Sequence, residues 1–130
     1  MAKRFVAGYH ILIDFLVENI DCIANKSLAE KKLEEIIEGS GLSKLGKFVY
    51  KFEQGKAGEP GGITCCYPLK ESHLTLHTWP EEKYGAADIF TCANEKPIDE
   101  AIQKAEKALE LFIKKFGVVK YKIKRYKRGI

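Results

Sequence analysis

The sequence predicts an α+β protein with two layers, in which two main helices cover one face of a largely antiparallel sheet. Three observations support this fold class. The chain has 130 residues, which suffices for one domain with its own core, so we treat residues 1–130 as a single domain. Most apolar runs are short and alternate with polar residues, whereas only two segments have helical periodicity. The elements follow one another in the order strand, helix, strands, helix, strand.

The strands are predicted from segments that are rich in β-branched and aromatic residues and are bounded by turn-forming residues. Residues 54–62, QGKAGEPGG, form a glycine-rich loop between two of these strands. The five predicted strands that precede the last helix cover residues 4–15, 47–53, 63–69, 73–79 and 84–92.

Two segments carry helical signals. The run from Ser27 to Glu30 matches a capping box, in which the first and fourth side chains satisfy free backbone N–H groups. Apolar residues then recur at helical spacing until Gly39 and Gly41, so the first helix is predicted to start near Ser27 and to stop at these glycines. Pro97 opens the second helix, because proline suits the first helical turn, and Gly117 closes it.

The net charge of +4 is concentrated at the C-terminal end of the chain, where residues 117–130 contain six Lys or Arg and no acidic residue. A basic segment of this kind also occurs in nucleic-acid-binding modules. The segment alternates, however, with Val119, Tyr121 and Ile123 on one side and lysines on the other, which predicts a half-buried strand. Because lysines discourage edge-to-edge pairing, we expect an edge strand and no nucleic-acid partner.

The composition indicates a cytoplasmic protein without a membrane span. No apolar run approaches the roughly 20 residues that a transmembrane helix needs. The N-terminus has basic residues before an apolar run, as a signal peptide does, but Tyr9, His10 and Asp14 interrupt that run and no small-residue cleavage site follows. The cysteines lack the spacing of a zinc site or a disulfide framework, so reduced thiols are expected. They are Cys22, Cys65, Cys66 and Cys92.

An unusual set of polar side chains occupies residues 71–77, where a hydroxyl, two imidazoles and a carboxylate occur together. His73 and His77 could suggest a metal site with Cys92, but residues four apart on a strand lie roughly 13 Å apart, too far to share an ion. Ser72 beside a histidine could suggest a serine hydrolase, yet the G-x-S-x-G motif is absent. A structural role also stays open, with Ser72 capping a turn and both imidazoles partly buried.

Three motifs in and after this strand favour one interpretation. They are Glu-Ser-His-Leu at residues 71–74, His-Thr-Trp-Pro-Glu at residues 77–81 and Asp-Ile-Phe-Thr-Cys at residues 88–92. Together with Gly8-Tyr-His10 near the N-terminus, they resemble the prokaryotic-type S-adenosylmethionine decarboxylase proenzymes, which are pyruvoyl-dependent. The resemblance covers nearly the whole chain and is weakest over residues 17–47. Related arginine decarboxylases use the same serine chemistry, so arginine stays open as an alternative substrate.

The resemblance implies that the chain cleaves itself to make its own cofactor. The Ser72 hydroxyl would attack the carbonyl of Glu71, which converts the peptide bond to an ester. His77 would accept the α-proton of Ser72, and β-elimination would then release the upstream chain. Hydrolysis of the remaining dehydroalanine would leave a pyruvoyl group at position 72. The products would be residues 1–71, the beta chain, and residues 72–130, the alpha chain.

The resemblance also implies roles in turnover, in which the pyruvoyl ketone forms a Schiff base with S-adenosylmethionine and carbon dioxide leaves, giving the aminopropyl donor for spermidine synthesis. Cys92 matches the family's proton donor, and an unperturbed thiol is mostly protonated near neutral pH. Glu81 matches the carboxylate that binds ribose, and Thr64 stands where the family commonly has an active-site serine. Phe52 is the candidate for stacking on adenine and contacting the sulfonium, or else a core aromatic residue.

The expected assembly also comes from the resemblance. Family members are homodimers with active sites shared between subunits, and a sheet this small would leave apolar surface uncovered in a single chain. The resemblance implies a pyruvoyl group as the cofactor, and no metal is expected. The expected partners are therefore S-adenosylmethionine and a second copy of the chain.

Overall fold

The computed structural model describes residues 5–54, 56–93 and 97–130, and the predicted fold class is confirmed. Six strands form one sheet in the order β2-β3-β4-β5-β1-β6, and every neighbouring pair is antiparallel. The strands are β1 (Val6–Val17), β2 (Phe48–Lys51), β3 (Ile63–Leu69), β4 (Ser72–Trp79), β5 (Tyr84–Cys92) and β6 (Val118–Gly129). The helices are α1 (Asp21–Ala24), α2 (Lys26–Gly39) and α3 (Ile98–Lys115).

The core lies between one face of the sheet and helices α2 and α3. Buried residues alternate with more exposed ones along β3, β4 and β5, because successive side chains of a strand point to opposite faces. Leu33 and Ile36 of α2 and Leu109 and Phe112 of α3 pack into this core and are almost completely buried. The opposite face is not covered by an α-helix in the described part of the chain, and we call it the open face.

The start of the first long helix differs from the prediction. α2 begins at Lys26, and the Asn25 side chain accepts a hydrogen bond from the Leu28 N–H (2.9 Å), so Asn25 is the N-cap and the capping box at Ser27 is wrong. Asparagine and serine cap helices about equally well, and the sequence has both within three positions. α2 ends at Gly39 as predicted, whereas the four-residue helix α1 was not predicted.

The predicted strand limits are correct to the residue for β3 and β5 and differ by a few residues elsewhere. β4 begins at Ser72, one residue earlier than predicted, and β2 is shorter than predicted at both ends. β1 extends beyond its predicted end, and Arg4, its predicted first residue, lies outside the described residues. Among the helices that the structure describes, none is long and apolar enough to cross a membrane.

β6 forms one edge of the sheet, beside β1, as its lysines predict. The predicted half-burial is wrong for two of its residues, because Val119 and Tyr121 are 58% and 55% exposed. Val118 and Ile123 are the members of β6 that pack against the core. Helix α3 lies mainly over β1 and β5, so the edge strand has little cover on the helix side.

Candidate active site

Strand β4 carries two of the predicted site residues, Ser72 and His77. Its side chains alternate as predicted, with Leu74 and Leu76 buried against the helices and His73 and His77 on the open face. The strand begins at Ser72 and lies between β3 and β5. Residues at its two ends therefore have different neighbours, and they form two separate groups.

The first group, which we call the serine cluster, consists of Glu71, Ser72 and Cys92. Ser72 Oγ lies 2.6 Å from Cys92 Sγ, and the Cys92 N–H donates a hydrogen bond to the Glu71 carbonyl oxygen (2.6 Å). Ser72 has a φ of +150°, a backbone conformation that residues with a Cβ rarely adopt and that typically costs about 1–3 kcal/mol. The serine cluster thus combines a strained residue, its hydroxyl, the preceding carbonyl and a thiol.

Gly8 explains how β1 approaches β5 at the serine cluster. It pairs with Cys92, and a Cβ atom at this position would lie 2.1 Å from the Thr91 carbonyl oxygen. Any other residue would push the two strands apart next to the thiol. The glycine of the Gly-Tyr-His motif therefore has a structural reason that bears directly on the site.

The side chain of Glu71 is anchored as well. The Ser43 N–H donates to Glu71 Oε1 (2.9 Å), and the Lys104 ammonium lies 3.8 Å from Oε2. The Lys70 N–H donates to the Ser43 carbonyl oxygen (2.9 Å), which ties the β3–β4 turn to the segment after α2. The residue before the predicted scissile bond is therefore held by two other parts of the chain.

The second group, which we call the histidine pocket, lies at the other end of β4. Thr64 Oγ1 is 3.3 Å from His77 Nδ1 across the β3–β4 pair. A cavity of about 340 Å³ adjoins both residues and is also lined by Phe52, Trp79 and Glu81. Phe52 is 50% exposed and lies just beyond the end of β2, so its alternative role as a core aromatic residue is wrong. Trp79 was not predicted to line a site.

The serine cluster and the histidine pocket are well separated within one chain. His77 follows Ser72 by five positions along a continuous strand, and a strand rises about 3.3 Å per residue, so their backbones lie roughly 16 Å apart. A proton acceptor must come within about 3 Å of its partner or act through one water. A single chain therefore does not bring His77 to the residue whose α-proton it was predicted to accept.

A third set of polar residues lies on the open face between these groups, and the sequence did not reveal it. We call it the aspartate network. Asp88 Oδ2 lies 2.7 Å from His10 Nε2 and 3.2 Å from His73 Nε2, and the Thr75 hydroxyl donates to Asp88 Oδ1. Arg128 Nη1 lies 3.5 Å from His10 Nδ1. His10 and Asp88 both belong to motifs noted above, but which residues meet across strands depends on register.

The contacts of the aspartate network can be described in two ways, as a possible metal site or as a set of hydrogen bonds. The atoms of His10, His73 and Asp88 that could bind a metal lie within 4.8 Å of one another, which is close enough for a metal site. Arginine can only donate, however, so Arg128 makes His10 Nδ1 an acceptor and leaves the proton on Nε2, facing Asp88. Burial raises the pKa of Asp88, but hydrogen bonds from Thr75, His10 and His73 outweigh burial, and the net pKa is lower than usual.

Comparison with known proteins identifies the family. A family model described as S-adenosylmethionine decarboxylase matches residues 9–129, nearly the whole chain. The chain belongs to the S-adenosylmethionine decarboxylase family. This confirms the family that the motifs predict, and it accounts for a resemblance that runs through both the serine cluster and the histidine pocket.

Two relatives and one solved structure illustrate the extent of the similarity. The S-adenosylmethionine decarboxylase proenzyme of Archaeoglobus fulgidus is 31% identical over 117 residues, which cover 90% of this chain and 93% of that protein. The proenzyme of Hydrogenobaculum sp. is 32% identical over 130 residues, 100% of this chain and 86% of that protein. The crystal structure of the adenosylmethionine decarboxylase from Aquifex aeolicus is 27% identical, with a TM-score of 0.80, covering 96% of this chain and 92% of that one.

Proposed function

We propose that the chain is a self-processing S-adenosylmethionine decarboxylase, which makes a pyruvoyl group from Ser72 and releases carbon dioxide from S-adenosylmethionine. The family and the names of the relatives support this substrate and do not favour arginine. The geometry of the serine cluster is the main observation in support of self-processing. The strained Ser72 directly follows the Glu71 carbonyl, which already accepts a hydrogen bond from the Cys92 N–H.

The serine cluster supports the first step of processing. The Cys92 N–H can stabilise the negative charge that develops on the Glu71 carbonyl oxygen when Ser72 Oγ attacks the carbonyl carbon. A C–O bond forms and the C–N bond breaks, so the peptide becomes an ester and the backbone strain at Ser72 is released. A base then takes the α-proton at position 72, and the α-carboxylate of Glu71 leaves, so that dehydroalanine remains at position 72. Water then displaces the nitrogen of this residue as ammonia and leaves the ketone.

The residues of both groups support the proposed turnover. A pyruvoyl group supplies the electron-accepting carbonyl that the loss of carbon dioxide requires. The Cys92 thiol lies against Ser72, so it can deliver a proton to a substrate bound at position 72. In the histidine pocket, Glu81 is available for the ribose hydroxyls, and the exposed rings of Phe52 and Trp79 are available for adenine and the sulfonium.

A homodimer accounts for the separation of the two groups. His77 of one chain would act on Ser72 of a second copy, and each complete site would combine the serine cluster of one chain with the histidine pocket of the other. A two-fold axis that brings Ser72 of each chain to His77 of its partner must pass close to the middle of β4, near Thr75. Such an interface is self-complementary and yields two identical sites.

The open face has a composition that suits this contact. It carries the aspartate network at its centre and exposed apolar side chains around it, and a second copy would remove these apolar groups from water. The exposed apolar residues are Leu12, Leu16, Phe48, Tyr50 and Tyr126.

All four cysteines are free thiols, which agrees with a cytoplasmic location and its reducing environment. The proposal includes no metal and no nucleic-acid or membrane partner. The basic edge strand β6 is accounted for as protection of a sheet edge.

Intact mass spectrometry of the denatured protein tests the self-processing. We expect two chains, residues 1–71 ending in Glu71 and residues 72–130 with a blocked N-terminus that borohydride reduces. A single chain of 130 residues that persists after long incubation, without a reducible carbonyl, would contradict the proposal.

Chemical cross-linking through Cys66 tests the dimer. Cys66 pairs with Thr75 and is exposed on the open face, so it lies about 5 Å from the middle of β4. Sheets that pack face to face are about 10 Å apart, so a bifunctional maleimide spanning roughly 10 Å should join the two Cys66 thiols. Cys66→Ser should abolish the cross-link without affecting decarboxylation. A monomer in solution, with full activity at high dilution, would overturn the shared site.

A further inference from the structure

We propose that Lys104 and Ser43 form a clamp on the Glu71 carboxylate, which positions the scissile residue before self-cleavage and retains its new C-terminus afterwards. The inference rests on the proposed self-processing between Glu71 and Ser72. Both clamp residues act through Glu71, so we regard them as positioning residues.

The contacts of the clamp come from two distant parts of the chain. Ser43 donates its N–H to Glu71 Oε1 (2.9 Å) and its hydroxyl to Oε2 (3.4 Å). Lys104, on α3, lies 3.8 Å from Oε2 and also 3.8 Å from Glu100 Oε1. The Glu71 side chain is only 17% exposed and that of Lys104 is 27% exposed, so solvent screens this ion pair less than it would a surface pair.

The clamp has a consequence before cleavage. Glu71 lies in the tight turn between β3 and β4, where a residue with a free side chain could rotate its peptide groups. Here the carboxylate is held by Ser43 and Lys104 while the carbonyl oxygen accepts the Cys92 N–H. With both ends of Glu71 fixed, the carbonyl carbon keeps one orientation toward Ser72. Holding reacting groups in an attack geometry is a large part of catalysis in intramolecular reactions.

The clamp has a second consequence after cleavage. Glu71 then becomes a C-terminal residue, and its new α-carboxylate adds a second negative charge beside the side-chain carboxylate. A cavity of about 100 Å³ adjoins this position and is lined by Glu71, Cys92, Glu100 and Lys104 together with small apolar and hydroxyl residues. Lys104 is the cation among its lining residues. Without this ammonium, the new C-terminus would face only the carboxylates of Glu71 and Glu100, so Lys104 offsets a repulsion that would otherwise expel it.

Processing kinetics test the first role. The conversion of newly synthesised precursor to the two chains is followed by intact mass after cell-free synthesis. Lys104→Met should lengthen the processing half-time roughly three- to fivefold, the scale of a partly exposed ion pair, and Lys104→Arg should restore it. Lys107→Met is the matched control, because Lys107 lies on the same helix and pairs only with Glu110 among the described ion pairs. In a Glu71→Gln background, Lys104→Met should add no further delay.

Trimming of the processed protein tests the second role. Carboxypeptidase should remove Glu71 from the processed Lys104→Met protein several times faster than from the processed wild type or Lys107→Met, with unchanged thermal unfolding as the check on folding. Unchanged half-times and unchanged trimming in a folded Lys104→Met protein would overturn the clamp, as would a folded Lys104→Arg protein that behaves like Lys104→Met. Wild-type precursor that never cleaves would instead overturn the proposed function.

Discussion

The two ends of strand β4 differ in almost every physical respect. The serine cluster is narrow and constrained, because Ser72 is strained, Glu71 is anchored at three atoms and Cys92 is in contact with both. The histidine pocket is wide and exposed, with a cavity of about 340 Å³ and half-exposed aromatic rings. Constraint suits the breaking of a particular bond, and open space suits the binding of a substrate. Each end of β4 is therefore suited to one half of the proposed chemistry.

The largest effect is expected at the constrained end. Ser72→Ala should leave the fold intact but abolish both cleavage and decarboxylation, since no hydroxyl remains to attack the Glu71 carbonyl or to become a ketone. Intact mass and carbon dioxide release measure the two effects. Cleavage between residues 71 and 72 in the Ser72→Ala protein would remove the serine from the mechanism.

A mixed dimer tests directly whether the two ends come from different chains. His77→Ala alone should arrest processing, with an ester that hydroxylamine splits after residue 71. A purified dimer of one Ser72→Ala chain and one His77→Ala chain has one intact combination of Ser72 and His77, so about half of the wild-type activity should return. The activity must come from chains that are inactive alone. No recovery in a verified mixed dimer would mean that the site belongs to one chain.

Cys92 separates processing from turnover at the constrained end. Cys92→Ala should still cleave, although more slowly, while its decarboxylation rate should fall on the order of 10²–10⁴-fold, because a positioned acid is lost. Protons should also be added more often to the carbon at position 72 instead of the α-carbon of the substrate. This error leaves alanine at position 72 and inactivates the enzyme. Mass spectrometry of the 72–130 chain during turnover would detect it. Wild-type turnover without excess inactivation would leave Cys92 with a structural role only.

Glu81 tests the histidine pocket, where we expect a smaller effect that is confined to substrate binding. Glu81→Gln should raise the KM for S-adenosylmethionine roughly tenfold, since a hydrogen bond to a charged group typically contributes about 1.5–3 kcal/mol. Processing should be unchanged, because Glu81 takes no part in the proposed steps of cleavage, which use Ser72, Cys92 and His77. The neighbouring Glu82→Gln is the control. A processing defect in Glu81→Gln with an unchanged KM would reverse this assignment.

The smallest effect is expected between the two ends, in the aspartate network. The pKa of Asp88 is lowered in the folded state, so its charge stabilises the fold at pH values above the unfolded pKa. That stability is lost as the pH falls through the lower folded pKa. Asp88→Asn should lower the Tm by roughly 4 °C near pH 6, as expected for about 1 kcal/mol, and the difference should shrink near pH 3. A constant difference across this range would exclude the ionised carboxylate as the cause.

The parts of the fold that depend on local patterns could be predicted from the sequence. β3 and β5 alternate between buried and more exposed residues along their whole length, and their limits were predicted to the residue. The burial of β6 could not be predicted, because Val119 and Tyr121 carry a core-like pattern but their exposure depends on how far α3 extends over the sheet. Helix α1 has only four residues, too few for any periodicity.

The candidate site was predictable in its members more than in its arrangement. The motifs predict Ser72, Cys92 and His77 as site residues, because the resemblance implies a role for each of them, and these roles stay predictions. The contact between Ser72 and Cys92 depends on the register of β4 with β5 and on the positive φ of Ser72, and a periodic sequence pattern predicts neither. The link from His10 to Asp88 likewise depends on β1 pairing with β5, two strands that lie far apart in the sequence.

The strand order has a consequence for refolding before and after the proposed cleavage between residues 71 and 72. Residues 1–71 supply β2, β3 and β1, whereas residues 72–130 supply β4, β5 and β6, and β1 lies between β5 and β6. The two fragments are therefore interleaved, joined along the β3–β4, β1–β5 and β1–β6 pairs. Before cleavage, refolding is a first-order event of one chain. After cleavage it requires an encounter of two chains, so its rate should fall on dilution. The fraction of protein that refolds after heating should therefore depend on concentration for the cleaved protein more than for the uncleaved protein.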